Sequence, residues 1–258
     1  GFIMKKSFKP YRDELFVSTK AGYDMWPGPY GNWGSRKSLM ASLDQSLVRM
    51  GLDYVDVFYS HRYDPETPLE ETMQALVDIV RQGKALYVGL SKYPAGKAEE
   101  AYRYLEARDV HCLLYQGRYN LFDRAPEEEG ILGQARAYGV GFIAFSPLAQ
   151  GLLTSRYLQG VPEDSRMAQG RFLKREVLTE AVLGKIKALD RVAAERGQTL
   201  AEMSLAWVLK DELVTSVIIG ASSVAQLEDN LKALRKVDFS KEELDRIEAI
   251  CHTPDGGQ

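Results

Sequence analysis

The feature that most constrains this chain is an alternation between two kinds of segment. Runs at residues 15–19, 54–59, 85–90, 112–116, 140–145 and 216–220 are short and almost continuously apolar. Runs of this length suit strands buried on both faces, as in a parallel sheet, although a short helical segment would look the same. The material between them decides. Leu39, Leu43, Leu47 and Met50 share one helical face, as do Met73, Leu76, Val77 and Val80, and as do Val182, Ile186, Leu189 and Val192. Helix starts are marked chemically: Thr67-Pro68-Leu69-Glu70, Thr199 with Glu202, Ser223 with Gln226, and Ser240 with Glu243 read as capping boxes. Strand–helix alternation with such caps implies six parallel βα units of an α/β fold, without a detectable sequence repeat.

Two stretches break the pattern. Residues 21–34 carry Trp26, Trp33, Pro27 and Pro29 among several glycines, and residues 149–174 form a second long connection. Long loops after strands of an α/β protein are usually binding loops, with a tolerated surface insertion as the other reading. Trp26, Tyr30 and Trp33 are compatible with the wall of an apolar substrate pocket and equally with packing of the loop itself.

Composition excludes several classes. The 258 residues are enough for one large domain or two small ones, and nothing in the connecting segments suggests a second domain. With 33 Lys+Arg against 36 Asp+Glu, the net charge of −3 leaves no footprint for nucleic acid. Cys112 and Cys251 make no disulfide framework and fit a reducing, cytoplasmic setting. No apolar run approaches the roughly 18 residues of a membrane span. The 3 histidines are scattered; His111 and His252 read as structural or solvated, and no metal site is expected. Neither a Gly-x-Gly-x-x-Gly fingerprint nor a phosphate-binding P-loop is present.

In a parallel α/β fold, groups at the carboxyl ends of the strands face the active site. Read to its end, each run delivers Lys20, His61, Ser91, Gln116, Ser146, and Gly220 with Ser222. A lysine can depress the pKa of a neighbouring acid, and a histidine can hydrogen-bond a carbonyl or alkoxide oxygen. Ser222 and Ser223 precede a helix whose free N–H groups favour an anion such as phosphate. This placement suggests polarised carbonyl chemistry beside a phosphate-bearing cofactor.

Specific motifs then point to a family. Leu15-Phe16-Val17-Ser18-Thr19-Lys20, Tyr54 through His61 and Val88-Gly89-Leu90-Ser91 resemble those of the aldo-keto reductases, as do Gln116-Gly117-Arg118-Tyr119-Asn120, Phe145 through Gly151, and Gly220-Ala221-Ser222-Ser223 with Gln226 and Asn230. They occur in family order from about Tyr11 to Leu244. Gly-Ala-Ser-Ser and Tyr-Ser-His-Arg resemble the branch of bacterial L-glyceraldehyde-3-phosphate reductases and potassium-channel β subunits.

The resemblance implies a (β/α)8 barrel, with 1–258 a single domain showing six of the eight units, and hydride transfer from NADPH to an aldehyde or ketone. It places Lys20 and His61 at catalytic positions. Ser91, Gln116 and the adjacent Lys92 fall at nicotinamide contacts, with Phe145 stacking on the ring. Ser146, Pro147, Leu148, Ala149 and Gln150 match the loop along the pyrophosphate, Arg156 and Arg166 the basic residues on the phosphates, and Gly220, Ser222, Gln226, Asp229 and Asn230 the adenosine side. Gln226 stands where many relatives use arginine, which softens the preference for NADPH over NADH.

One departure matters. The family's aspartate and proton-donating tyrosine lie upstream of the lysine strand, and none of the nineteen residues before Lys20 matches that motif. By resemblance the chain begins late in the second helix of the barrel and is N-terminally incomplete. The expected function is reduction of small aldehydes or ketones, glyceraldehyde 3-phosphate and methylglyoxal among them. The alternatives are a non-catalytic NADPH-binding regulatory module like the channel β subunits, which carry asparagine at the position of His61, or an inactive fragment. A small carbonyl compound is the expected partner, with no nucleic acid and no membrane; a homo-oligomer is compatible with the sequence but not specified by it.

Overall fold

A computed structural model describes residues 1–158 and 175–252. The chain clusters into two compact units, Gly1–Gly117 with Glu129–Phe142, and Arg118–Glu128 with Ile143–Gln258. In chain order the elements are β1 (Ser18–Ala21), α1 (Arg36–Met50), β2 (Val55–Ser60), α2 (Leu69–Arg81), β3 (Ala85–Ser91), α3 (Ala95–Glu106) and β4 (Cys112–Arg118). Then come α4 (Ala125–Glu128), α5 (Ile131–Ala137), β5 (Gly141–Phe145), α6 (Glu180–Glu195), α7 (Leu200–Val208), β6 (Ser216–Val217), α8 (Val224–Leu231) and α9 (Lys241–Cys251). The six expected strands are present, each alternating with helix.

In the first unit β1 to β4 lie in sequence order and pair in parallel. Strand β2 is buried along its whole length. Leu39 and Leu43 of α1 and Met73 and Leu76 of α2 are fully buried, so the predicted helix faces are the ones turned to the core. Val57 pairs with both Ser18 and Tyr87, which sets the strand ends nearly level. Gly89 is required by packing: a Cβ there would lie 2.4 Å from the ring of Tyr59 and 3.0 Å from the Leu114 carbonyl oxygen.

Three expectations are corrected here. The first strand begins at Ser18 rather than Leu15, because the Val17 N–H donates to the Asp56 carboxylate (2.7 Å) instead of to a strand neighbour. Arg12 holds that carboxylate from the other side at 2.9 Å and lies over the ring of Tyr54. Burial on both faces fails at Leu86 and Tyr87 of β3, which are exposed. Thr67 does not cap α2. Its hydroxyl donates to Asp64 (2.6 Å), and Pro68 takes the cap position without a side-chain bond. A buried carboxylate that already accepts the Gly34, Glu66 and Thr67 N–H groups is the stronger acceptor for that hydroxyl.

In the second unit β5 and β6 pair in parallel, Ile143 with Ser216 and Ala144 with Val217. Strand β6 is shorter than its apolar run, since after Ile218 donates to the Ala144 carbonyl (2.8 Å) the chain leaves the ladder. Ile186, Leu189, Met203, Trp207 and Ile247 form the core between α6, α7 and α9. Thr199–Glu202 and Ser240–Glu243 make complete capping boxes. Ser223 caps α8, but the Gln226 side chain turns to Ser222 instead of closing the box. Buried Arg196 ties α6 to the start of α9 by pairing with Glu243, donating to the Asp238 carbonyl (3.0 Å) and stacking on Phe239 (3.6 Å).

Candidate active site

Parallel pairing brings polar groups to one level in the first unit. Lys20 sits at the end of β1, opposite Tyr59; His61 follows β2 and donates its backbone N–H to the Ala21 carbonyl (2.8 Å); Ser91 pairs with Gln116 across β3 and β4. The Lys20 ammonium donates to Gln116 Oε1 and lies 5.4 Å from the centre of the Tyr59 ring. Ser91 and Gln116 are buried, and the hydroxyl of Ser91 has no hydrogen-bond partner among the described residues.

The electrostatics favour a neutral imidazole. Burial, then Lys20, Lys92 and Arg62 in turn, lower the His61 pKa to about 4. At neutral pH the ring therefore carries one N–H donor and no charge. Burial and the neighbouring Lys92 lower the Lys20 pKa as well, loosening its proton.

The loop at residues 21–34 closes over this level. Tyr23 meets His61 edge-on at 4.6 Å between centroids. The Arg62 guanidinium lies 3.5 Å from the centre of the Trp33 ring and 4.2 Å from that of Tyr23, and it donates to the Gly22 carbonyl (2.7 Å) and Asn32 Oδ1 (2.9 Å). Asp64 and Thr72 pin the loop's end through Gly34. Trp33 thus packs its own loop through Arg62, and Tyr30 lies under Lys37 at 4.4 Å.

The second unit carries a groove of about 1020 Å³. One wall is the turn after β5, where Ser146 and Gln150, which line the groove, and Ala149 between them have φ of 54°, 59° and 46°, a left-handed backbone that non-glycine residues rarely adopt. Such strain gathers where a backbone is shaped for a ligand. The other wall is the chain from Ile218 into α8. The first turn of α8 contains no acidic residue, so the N–H groups that the Ser223 cap leaves over present a positive end. Arg156 and Lys232 add positive charge to the lining, and Glu202 and Asp229 negative. Two buried atoms at this groove, Gln150 Oε1 and Asn230 Nδ2, have no hydrogen-bond partner among the described residues.

A family model decides what these features belong to: that of the aldo/keto reductase family matches residues 1–252. The chain belongs to the aldo/keto reductase family. It is 53% identical over 260 residues to L-glyceraldehyde 3-phosphate reductase of Escherichia coli O157:H7, covering 99% of this chain and 75% of that protein. The protein of the same name in Escherichia coli K12 is 52% identical over the same shares. A probable voltage-gated potassium channel subunit beta of Oryza sativa subsp. japonica is 38% identical over 249 residues, 94% of this chain and 75% of that protein.

Against the family pattern, the first unit gathers Lys20, His61, Ser91 and Gln116 as the strand ends suggest. The Lys92 ammonium donates to the Tyr23 hydroxyl at 3.0 Å. The groove gathers Ser146, Pro147, Leu148, Gln150, Arg156, Gly220, Ser222, Gln226, Asp229 and Asn230. Ala149 lines an adjoining cavity of about 740 Å³ that shares Ser146 and Gln150 with the groove, and Phe145 is half-buried at the end of β5. Arg166 lies outside the described residues. Sequence reasoning missed Tyr23 and Arg62 at His61, because neither belongs to an apolar run or a capping pattern. It missed Thr154 and Lys232 in the groove for the same reason, and it read Thr199 and Glu202 only as a capping box although both also line the groove.

Proposed function

We propose that this aldo/keto reductase reduces small aldehydes, with NADPH as its cofactor. The observation that carries the reading is the neutral His61 at a strand end beside the Lys20–Gln116 pair. The 53% identity to an L-glyceraldehyde 3-phosphate reductase supports it.

The chain's polar groups fit a nicotinamide dinucleotide. Among the described residues, Ser91 Oγ in the first unit and Gln150 Oε1 and Asn230 Nδ2 in the second are buried without partners, a costly arrangement at each place that bound polar groups would relieve. They stand at positions that family resemblance assigns to the nicotinamide, the pyrophosphate and the adenosine. The strained turn at residues 146–150 and the first turn of α8 offer N–H groups to phosphate oxygens. Arg156 adds a cation, and Gly220, Ser222, Gln226 and Asp229 line the adenosine side.

The chemistry a bound NADPH supplies is a hydride for the carbonyl carbon. His61 donates its N–H to the carbonyl oxygen, orienting it and drawing electron density from the carbon. Lys20, steered by Gln116, stabilises the negative charge that grows on that oxygen, and its lowered pKa makes its proton the more mobile one.

NADPH oxidation with glyceraldehyde, methylglyoxal and glyceraldehyde 3-phosphate tests the reading. Turnover is expected, falling about 100-fold or more in His61→Ala by loss of a positioned donor. Quenching of NADPH fluorescence without turnover would replace the reading with that of a cofactor-binding module, the second reading that the channel subunit relative supports. Neither signal would sink both.

A further inference from the structure

We infer that α8 is a homodimerisation surface, on which a second copy of the chain pairs its own α8 in antiparallel orientation. Of the residues Val224–Leu231 only Asn230 is buried, and of the turn Lys232–Arg235 that follows only Ala233. Val224, Leu227, Leu231 and Leu234 are 74%, 42%, 52% and 60% exposed. Large apolar side chains set in one contiguous row along so short a segment favour being taken out of water together.

Their spacing of three, four and three residues is that of the seam of a two-stranded coiled coil. The seam is the side of α8 turned away from the core of its unit. Helical periodicity puts Gln226 and Asp229, which line the groove, and the buried Asn230 and Ala233 on the other side. Two copies that pair along the seam therefore leave both grooves open. A two-fold axis between Leu227 and Leu231 sets Val224 against Leu234 of the second copy and Leu227 against Leu231, so all four side chains find an apolar partner.

Charge selects both the occupant and the direction. Glu228 and Asp229 fall in the first half of the segment, and Lys232, Arg235 and Lys236 in the second. Asp229 is engaged within the helix by Lys232 at 2.6 Å. Glu228 and Arg235 make no ion pair among the described residues, and Arg235 has like-charged Lys232 beside it. Both flank the same edge of the seam. In an antiparallel pair like edges meet, so Glu228 of each copy comes beside Arg235 of the other, and side chains that lean toward their own N-terminus lean toward each other there. A parallel pair would set acid against acid and base against base, and would align the two helix dipoles.

Sedimentation velocity on the full chain over a range of concentrations tests the surface, whatever the chain does to aldehydes. A reversible monomer–dimer equilibrium of micromolar affinity or weaker is expected, because the contact is small for a protein interface. Leu231→Glu should weaken it about tenfold or more by placing a charge in the seam. Val48→Glu, at an exposed apolar side chain of α1, should leave it unchanged. Glu228→Arg and Arg235→Glu should each weaken the dimer, and the double exchange should restore it, a rescue that a fault in folding would not show. A chain that stays monomeric, its α8 left bare or taken by a different partner, overturns the inference. So does a dimer that Leu231→Glu and Val48→Glu weaken equally, or a double exchange no stronger than either single one.

Discussion

Lys20 donates a hydrogen bond to the side-chain oxygen of Gln116, a residue 96 positions away in the chain, and each limits what the other can do. Gln116 is buried, so its amide oxygen depends on that donor. Lys20→Met should cost about 1–3 kcal/mol of stability through the unsatisfied acceptor, read as a lowered urea midpoint. Gln116→Glu should preserve the bond and raise the Lys20 pKa; a midpoint unmoved by Lys20→Met would show the bond to be incidental.

The state of His61 predicts a pH window. Its folded pKa of about 4 lies below the ordinary 6.5, because burial and three cations disfavour the charged ring. Between pH 6.5 and 4 the unfolded chain takes up a proton that the folded chain refuses. Stability from this group is therefore full above 6.5 and is lost as the pH falls towards 4. An NMR titration of the His61 ring, assigned through His61→Gln, should show its inflection near pH 4. An inflection near 6.5 would mean that the ring is exposed and the cations distant.

Gly89 is expected to tolerate no side chain. In Gly89→Ala the new methyl would lie 2.4 Å from the Tyr59 ring, itself packed beneath Lys20. Relief requires moving either the ring or the β3–β4 ladder, so a loss of about 1–3 kcal/mol is expected by chemical denaturation. Aldehyde turnover should fall further than stability alone explains, since Tyr59 supports Lys20.

Arg196 predicts the largest single loss in the second unit. Its side chain is only 1% exposed and its partner Glu243 is 26% exposed. Arg196→Ala leaves the Glu243 carboxylate with only the Ser240 N–H, strips the Asp238 carbonyl of its donor from Arg196 and removes the stack on Phe239. A loss of about 1–3 kcal/mol follows, measured as a drop in Tm or urea midpoint. Glu243→Gln should cost less, because its amide oxygen still accepts.

Alternation, helix faces and two of the capping boxes were legible in the sequence because each depends on residues only a few positions apart. Leu39 with Leu43, or Thr199 with Glu202, meets across one turn whatever the rest of the chain does. The strand ends were legible for a related reason: parallel pairing in near register puts Lys20, His61, Ser91 and Gln116 at one level once the strands are known. Decisions between distant competitors were not. Val17 chose the carboxylate of Asp56, 39 positions away, over the ladder, because it offered a stronger bond. Thr67 is a local exception, its hydroxyl turning to Asp64 three positions upstream, whose acceptor strength comes from the buried fold around it. The neutrality of His61, the Arg62 stack between Tyr23 and Trp33, and the left-handed turn at Ser146, Ala149 and Gln150 likewise belong to the tertiary structure alone. Burial, field and backbone strain are properties of the surroundings, and the surroundings exist only after the chain has folded.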